Sequence, residues 1–252
     1  MLSAIVVCRD RAAYLRRCLT SLLSQTAELG REYEIVVVEQ GLAGEVVAGL
    51  PLTYVQLPYG ASVSRAWMCN VGARRAAGEW LYQIDCDMIL ERDAVRKAAA
   101  EAGSGRLGQR FYATTGLRDL GQRETEAAQA DHSLIPDRTW GEPHGHDGGA
   151  GNPILFPADY YAWLGGYDEA FMGHGCQDLD MIERTRATGG FLTTLPAVAW
   201  HQWHGPTPKR TAVASNWRRY RTMRRRMRSN PDLAVRNGGR WGNTDAPNGS
   251  VL

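Results

Sequence analysis

The chain has 252 residues, of which 44% are hydrophobic and 22% charged, an ordinary composition for one soluble globular domain. No apolar run approaches the ~20 residues of a membrane span, and the apolar stretch that begins at Leu2 leaves no room for a signal peptide, so we expect a cytoplasmic protein without a membrane span. The five cysteines lack CxxC spacing, which argues against a disulfide framework and against a zinc cluster.

The first part of the chain alternates apolar strands with an amphipathic helix. Leu2–Cys8, Tyr33–Glu39 and Leu52–Leu57 are predicted strands. Between the first two, Asp10 is the predicted N-cap of a helix whose apolar residues recur every three or four positions up to Leu23. Because the strands are almost continuously apolar, they predict a parallel sheet that is covered by helices on both sides.

An acidic pair follows the next apolar strand, which begins at Trp80. Asp85 and Asp87 interrupt this stretch, which becomes apolar again up to Leu90. Buried carboxylates are costly unless they are paired with a cation or bind a metal. In open α/β sheets, ligands bind at the carboxyl ends of the strands. The pair therefore predicts a metal or substrate site, although a simple acidic turn would have the same sequence.

The middle of the chain is less regular. A helix is predicted over Glu91–Glu101 and a short helix over Pro157–Leu164. Between them, residues 103–151 show one strand candidate, Phe111–Thr115, in an otherwise polar and glycine-containing stretch. Long irregular segments inside a compact domain are often functional, so we expect a substrate-facing loop near Gly148–Asn152.

Two later elements carry polar side chains at their ends. A predicted helix has Asp178 and Asp180 in its first turn, where the positive end of the helix dipole favours carboxylates. A strand-like stretch ends at Trp200 and is followed by His201 and His204. A histidine pair of this kind can be structural or can bind a metal.

The basic residues are concentrated near the carboxyl end. Lys209–Arg228 contains nine of the 29 lysines and arginines and no acid, which leaves 20 basic against 27 acidic residues elsewhere. Such a segment can bind nucleic acid or anionic lipid, clamp a phosphorylated substrate or form a solvated helix face. We favour a solvated face on a helix over 218–228 and do not expect a nucleic-acid partner. The composition after Asn230 predicts a loose tail.

Four sequence blocks together resemble glycosyltransferases of the GT-A fold, and more narrowly the β-1,4-galactosyltransferase type with its chondroitin-polymerase relatives. They resemble, in the same order, the family's first-strand block, its Asn-Arg-Ala-Lys block, its metal-binding Asp-x-Asp and its Gly-Trp-Gly-Gly-Glu-Asp-Asp-Asp block. The four are VVCRDRAAYL (Val6–Leu15), SVSRAWMCNVGARRA (Ser62–Ala76), Asp85-Cys86-Asp87 and GGYDEAFMGHGCQDLDMIERTRATGG (Gly165–Gly190).

This resemblance implies an α/β fold of the GT-A type, with a mostly parallel central sheet flanked by helices. It also implies a site for a nucleotide-sugar donor. Arg9 and Arg65 would contact the diphosphate, Glu39 would lie near the base or ribose, and Asp85 near the ribose and the metal. Trp67 stands where the family has a lysine, so contacts to the nucleotide can differ in detail.

The resemblance further implies a metal site. Asp87 would be the direct carboxylate ligand, and the family's second ligand pair, three residues apart after the last core strand, is matched by His201 and His204. Imidazole, carboxylate and diphosphate oxygens suit Mn²⁺, although Mg²⁺ is possible.

On the acceptor side, the resemblance implies that Asp178 is the catalytic base. His174, Gln177 and Asp180 would line the acceptor site. His174 and Gln177 stand where the family has Trp and Glu, so the identity of the acceptor does not transfer from the resemblance.

The expected activity is metal-dependent, inverting transfer of a sugar from a nucleotide diphosphate to a hydroxyl of a glycan or small-molecule acceptor. The expected donor is a UDP-hexose or UDP-N-acetylhexosamine. Two alternatives stay open: a retaining enzyme resembling polypeptide N-acetylgalactosaminyltransferases, and a non-catalytic nucleotide-sugar-binding protein. The expected organisation is one domain over residues 1–229 and a tail over 230–252. Within the domain, we expect a nucleotide-binding half, an acceptor and catalytic half, and a lid with the basic helix, at 1–101, 102–205 and 206–229.

Overall fold

The computed structural model describes residues 1–58, 64–144, 153–173, 175–205 and 212–244. The first part of the chain forms parallel strands connected by helices. These elements are β1 (Leu2–Cys8), α1 (Ala12–Leu23), β2 (Tyr33–Glu39), α2 (Gly44–Val47), β3 (Thr53–Gln56), α3 (Arg65–Arg75) and β4 (Trp80–Asp85). The strands lie in the order β3-β2-β1-β4, and each neighbouring pair is parallel, as the apolar strands predict.

The second part of the chain extends the same sheet with mixed directions. Its elements are β5 (Met88–Leu90), α4 (Ala94–Gly103), β6 (Phe111–Asp119), α5 (Gln122–Ala130), β7 (Glu142–Pro143), β8 (Ile154–Pro157), α6 (Ala158–Trp163), α7 (Gln177–Ala187), β9 (Phe191–His201) and α8 (Ala212–Ser229). Beyond β4 the order is β8-β6-β9-β5, with β7 beside β6. Only β6 and β9 are parallel here, so the sheet as a whole is mixed and not mostly parallel.

Both faces of the sheet are covered, which explains why the strands are apolar throughout. Side chains alternate between the two faces of a strand. Ala4 and Val6 of β1 pack with α1 and α4, whereas Ile5 and Val7 pack with α3, α6 and α7. The prediction of an α/β sheet flanked by helices is therefore confirmed.

Three local predictions need correction. Asp10 does not cap α1, since the N-cap is Arg11 and Asp10 lies in the turn with a φ of 50°. The apolar stretch from Trp80 to Leu90 is two strands, because the chain turns at the acidic pair: β4 joins β1, and β5 joins β9. The irregular segment contains α5, which has no apolar stripe and buries only Thr125 and Ala128.

Residues 230–244 are not a loose tail. Two short 3₁₀ turns, Pro231–Ala234 and Asn237–Gly239, bring this segment back over the core. Trp241 is buried against the core, and its carbonyl accepts a hydrogen bond from Nε of Arg74 at 2.9 Å.

A buried network of ion pairs joins α7, α8 and this carboxyl-terminal segment. Arg219 donates two hydrogen bonds to Asp168, at 2.8 and 2.9 Å, and Nε of Arg236 lies 3.4 Å from the same carboxylate. Asp180 lies next to Arg184 and Arg236. The network holds α7 and α8 together.

Replacing Asp168 by asparagine should lower the free energy of unfolding by about 3–5 kcal/mol, since removing one partner of a buried ion pair leaves the other charge uncompensated. Urea unfolding followed by circular dichroism measures this loss. The matched control is Asp159→Asn, at an exposed carboxylate on α6. Equal stability of the two variants would contradict the structural role of the network.

No helix within the described parts of the chain is long and apolar enough to cross a membrane. All five cysteines are buried, free thiols, as the sequence predicts.

Candidate active site

Three candidate metal ligands meet at one edge of the sheet. Asp87 lies in the turn between β4 and β5, and His201 is the last residue of β9. Because Met88 pairs with His201 in the antiparallel register of β5 and β9, the preceding Asp87 lies beside the histidine. One ligand atom from each of Asp87, His201 and His204 lies within 4.8 Å of the others. The structure thus brings together all three residues predicted to hold the metal.

The hydrogen bonds of the two imidazoles orient them toward Asp87. Nδ1 of His201 donates to Asp119 at 3.0 Å, and Nδ1 of His204 donates to the carbonyl of Gly205 at 3.0 Å. This leaves both Nε2 atoms facing Oδ2 of Asp87, at 3.7 and 3.5 Å. Among the described residues, Oδ1 of Asp87 has no hydrogen-bond partner although it is buried. A carboxylate and two imidazoles arranged in this way fit a divalent ion such as Mn²⁺.

The charge of Asp87 is balanced by its neighbours. Arg11 donates a hydrogen bond to Oδ2 of Asp87. Burial raises the pKa of a carboxyl, but His201, Arg11 and His204 outweigh burial and hold the pKa of Asp87 below its usual range. Burial likewise opposes the charged form of His201, but Asp87 and Asp119 raise the pKa of His201 to about 9. The site therefore stabilises an ionised carboxylate.

Strand register also explains a second layer of residues behind the metal ligands. Asp119, the last residue of β6, pairs with His201 in the parallel register of β6 and β9. Glu142 of β7 pairs with Asp119, which places His144 so that its Nδ1 lies 2.6 Å from Oδ2 of Asp119. Asp119 therefore joins two imidazoles and fixes the ring orientation of His201.

Replacing Asp119 by alanine should weaken Mn²⁺ binding by about 10- to 100-fold, because the loss of outer partners of a metal-bound imidazole typically has this effect. Isothermal calorimetry with Mn²⁺ measures the affinity directly. The control is Asp137→Ala, which removes an exposed carboxylate between α5 and β7. Unchanged Mn²⁺ affinity in the Asp119 variant would show that His201 needs no carboxylate support.

A second acidic centre surrounds Arg65, the first residue of α3. Nε of Arg65 donates to Asp85 at 2.7 Å, and Nη1 donates to Asp178 at 3.1 Å. The hydroxyl of Tyr167 donates to the same oxygen of Asp178 at 2.8 Å. Burial, together with the nearby Asp87 and Asp178, raises the pKa of Asp85 despite Arg65, whereas Asp178 and Asp85 raise the pKa of Arg65 despite its burial. Arg65 is thus a charged bridge between the acidic pair of β4 and the start of α7.

Loop contacts bring these two helix starts together. Ser64 caps α3 by accepting a hydrogen bond from the backbone N–H of Trp67, at 3.2 Å, and donates to the carbonyl of Phe171 at 2.9 Å. The backbone N–H of Arg65 donates to the carbonyl of Gly173 at 3.3 Å. The loop before α7 is therefore fixed to α3, which positions Asp178 opposite Arg65.

The residues predicted to bind the donor nucleotide differ in burial and in their partners. Glu39 is buried at the end of β2 and accepts hydrogen bonds from Tyr54 and from the backbone of Ala43, at 2.6 and 2.9 Å. Arg9 is partly exposed, with its Nε 3.5 Å from Asp10. Arg11, which the sequence interpretation passed over, is the arginine of this turn that reaches Asp87.

On the acceptor side, Gln177 is buried and donates to the carbonyl of Gly173 at 3.1 Å. Asp180 is only 1% exposed and belongs to the ion-pair network with Arg184 and Arg236, so its position does not support an acceptor role. His174, the loop predicted near 148–152 and residues 206–211 of the predicted lid lie outside the described residues.

The sequence interpretation missed Asp119, His144 and Tyr167 as well as Arg11. Asp119 carried one available signal, since it is a carboxylate at the end of a strand, but the predicted strand stopped at Thr115. The other residues are separated from the groups that they contact by 11 residues (Tyr167), 25 residues (His144) or 76 residues (Arg11), and local sequence patterns do not predict contacts over such separations.

Comparison with known proteins agrees with this architecture. The model of the family described as "Glycosyl transferase family 2" matches residues 3–153. Among solved structures, the chain is similar to the crystal structure of GalNAc-T7 with UDP, GalNAc and Mn²⁺, with a TM-score of 0.64 and 15% sequence identity. The similarity covers 88% of this chain and 48% of that one, so the chain spans about half the length of GalNAc-T7 in that structure. At this identity the likeness shows the fold alone.

No curated protein matches the chain. The structural likeness confirms the GT-A fold, while neither comparison singles out the narrower β-1,4-galactosyltransferase or chondroitin-polymerase type. Because the family match covers more than half of the sequence, the chain belongs to glycosyl transferase family 2.

Proposed function

We propose that the protein is a metal-dependent, inverting glycosyltransferase that moves a sugar from a nucleotide diphosphate to an acceptor hydroxyl. One observation carries this proposal: a metal-ligand set of Asp87, His201 and His204 stands next to a separate carboxylate, Asp178, with Arg65 between the two centres. Inversion in one displacement needs two such centres, one for the leaving diphosphate and one for the attacking hydroxyl.

In this proposal, Asp87, His201 and His204 hold a divalent cation, with Mn²⁺ favoured over Mg²⁺ by the two imidazoles. Such a cation supplies Lewis-acid stabilisation to the diphosphate leaving group. Asp178 accepts the proton of the acceptor hydroxyl at its carboxylate. The hydrogen bonds from Arg65 and Tyr167 to Oδ1 hold this carboxylate in place.

The donor side is assigned to the amino-terminal part of the sheet. Arg9 and Arg11 lie in the turn after β1, where a diphosphate next to Asp87 would find positive charge. Glu39 ends β2 and Asp85 ends β4, the two parallel strands on either side of β1. Nucleotides bind at the carboxyl ends of such strands in open α/β folds. The solved GalNAc-T7 structure contains UDP and Mn²⁺, which supports UDP as the first nucleotide to test.

Calorimetric titration with UDP in the presence and absence of Mn²⁺ tests the proposal. We expect UDP to bind with Mn²⁺ present and to lose most of its affinity after chelation, because the metal ligands and the diphosphate share the cation. Titration with uridine, which lacks the diphosphate, is the matched control and should show no dependence on Mn²⁺. UDP binding of equal strength with and without the metal would contradict the proposed donor site.

Two alternatives are separated by further measurements. The first alternative is a retaining transferase with the same fold, and the anomeric configuration of the product distinguishes it from an inverting enzyme. A binding protein without turnover would bind UDP but would not release sugar from the donor. Metal-dependent donor hydrolysis therefore separates an enzyme from a binding protein.

A further inference from the structure

A buried amide, Asn70 of α3, contacts the tyrosine that supports Asp178. Asn70 is fully buried. Its Nδ2 donates hydrogen bonds to the carbonyl of Tyr167 at 2.9 Å and to Oε1 of Glu169 at 2.7 Å. Its Oδ1 accepts from the backbone N–H of Tyr167 at 2.8 Å and from the hydroxyl of Tyr161 at 2.6 Å. These four bonds use both donors and both lone pairs of the amide.

The stretch that Asn70 holds belongs to no helix or strand. Tyr167 follows Gly165 and Gly166, whose φ angles of 76° and 66° lie in the left-handed region that favours glycine. A Cβ at Gly166 would collide with Oδ1 of Asn70, so the close approach also requires glycine there. The carbonyl of Tyr167 accepts a further hydrogen bond from Nδ2 of Asn237 at 2.7 Å. Asn70 thus binds both backbone groups of Tyr167 and takes the place of a partner peptide group in a neighbouring strand.

The side chain of Tyr167 carries this backbone position to the proposed base. The ring is fully buried and meets the rings of Phe156 and Tyr161 edge to face, with centroids 6.3 and 5.9 Å away. Its hydroxyl donates to Oδ1 of Asp178 at 2.8 Å. Close packing leaves a buried ring little freedom to turn. A shift of the Tyr167 backbone would therefore move the hydroxyl away from the carboxylate.

We propose that Asn70 is a positioning residue for the reaction: it fixes the backbone of Tyr167 and thereby the hydroxyl that holds the carboxylate of Asp178. This inference rests on the proposed function, in which Asp178 is the base. A base must lie within about 2.6–3.2 Å of the group whose proton it takes. A misplacement of about 1 Å can cost ~10²-fold in rate. The loss of Asn70 should therefore slow the reaction without weakening donor binding.

Hydrolysis of the donor by the full chain tests this inference. Water then takes the place of the acceptor hydroxyl, and Asp178 would accept its proton. The probes are UDP-glucose, UDP-galactose, UDP-N-acetylglucosamine and UDP-N-acetylgalactosamine, each with Mn²⁺. The donor that the wild type hydrolyses fastest is used for the variants. Release of UDP gives kcat and KM, and calorimetry gives the Mn²⁺-dependent affinity for UDP.

The variants are Asn70→Ala, Tyr167→Phe and the two changes combined. We expect each single change to lower kcat by roughly ten- to a hundredfold, the effect of losing one hydrogen bond to a charged group. KM for the donor and the affinity for UDP should stay near the wild-type values. The double variant should be about as slow as the slower single variant, because both changes remove the same contact with Asp178. Independent effects would multiply instead.

Arg74→Ala is the matched structural control. Arg74 lies one turn after Asn70 on α3 and donates to the carbonyls of Trp241 and Gly239, at 2.9 and 3.1 Å. It holds the carboxyl-terminal segment, so its loss should lower stability in urea while the folded enzyme keeps its kcat. If Asn70→Ala does not fold, Asn70→Asp takes its place, since it keeps the size of the side chain and Oδ1 but lacks the Nδ2 donors. This variant should also lower kcat at least about tenfold.

Several results would overturn the inference: the Asn70 variant keeps its kcat or loses UDP affinity instead, the two single losses multiply, or Arg74→Ala slows the folded enzyme equally. Asp178→Asn is assayed in parallel. If Asp178→Asn slows hydrolysis and the Asn70 variant does not, only the positioning role is refuted. If the wild type hydrolyses none of the four donors, or if Asp178→Asn keeps the wild-type rate, the proposed function falls and this inference falls with it.

Discussion

Replacement of Asp87 by alanine is expected to abolish Mn²⁺-dependent binding of UDP while the protein stays folded. Asp87 is the anionic member of the ligand set, and its Oδ2 faces both imidazoles at 3.7 and 3.5 Å. Loss of an outer partner alone typically weakens metal binding about 10- to 100-fold, so loss of this direct carboxylate should exceed that range. The remaining imidazoles would then face Arg11 without the carboxylate that lies between them and this positive charge.

Calorimetry measures UDP and Mn²⁺ binding to the Asp87 variant, and circular dichroism verifies its fold. Asp159→Ala is the matched control, because Asp159 follows β8 next to the opposite end of β4. This control should bind Mn²⁺ and UDP as the wild type does. If the Asp87 variant retained wild-type affinity for both, the metal centre would have to be placed elsewhere.

The second large effect is expected from Asp178→Asn, which should reduce sugar transfer by about 10²- to 10⁴-fold, the usual contribution of a positioned general base. An amide can still accept the hydrogen bonds of Arg65 and Tyr167, but it cannot take the proton of the acceptor hydroxyl. UDP and Mn²⁺ affinity should change little, because their proposed ligands lie at the other centre. A fall in kcat with unchanged donor binding is the expected pattern.

Asp180→Asn distinguishes a catalytic effect from a structural one. Asp180 lies two residues after Asp178 but faces Arg184 and Arg236 in the buried network. Its replacement should lower stability while the folded enzyme keeps its turnover. The assignment of Asp178 would fail if its variant turned over at nearly the wild-type rate. A product that kept the anomeric configuration of the donor would exclude the inverting mechanism.

Much of the fold was predictable because its signals are local. The apolar residues of β1, β2 and β4 indicate buried strands without reference to any partner. The helix α5 was not predictable in this way: its sequence is polar, and it is held by tertiary contacts such as the hydrogen bond from the backbone N–H of Trp203 to Thr125, at 2.8 Å. The segment after Asn230 was misjudged for the same reason, since its buried residues are few and widely spaced.

For the site, the sequence by itself determined which residue types stand at the ends of which elements. Asp85 and His201 end strands, Asp87 and His204 follow shortly after them, and Asp178 lies in the first turn of a helix. These positions depend only on neighbours in the chain. These positions made Asp87, His201 and His204 candidates for a metal site, and the family resemblance identified them as its ligands.

Only the tertiary structure decided which side chains act together. Strand register placed Asp119 beside His201 and His144, and the turn after β1 directed Arg11 rather than Arg9 to Asp87. Asp178 and Asp180 are nearly adjacent on α7, yet one faces Arg65 and the other a buried network. Such choices depend on contacts between residues far apart in the chain, where burial and ion pairing select one arrangement, and a local pattern of residues does not contain them.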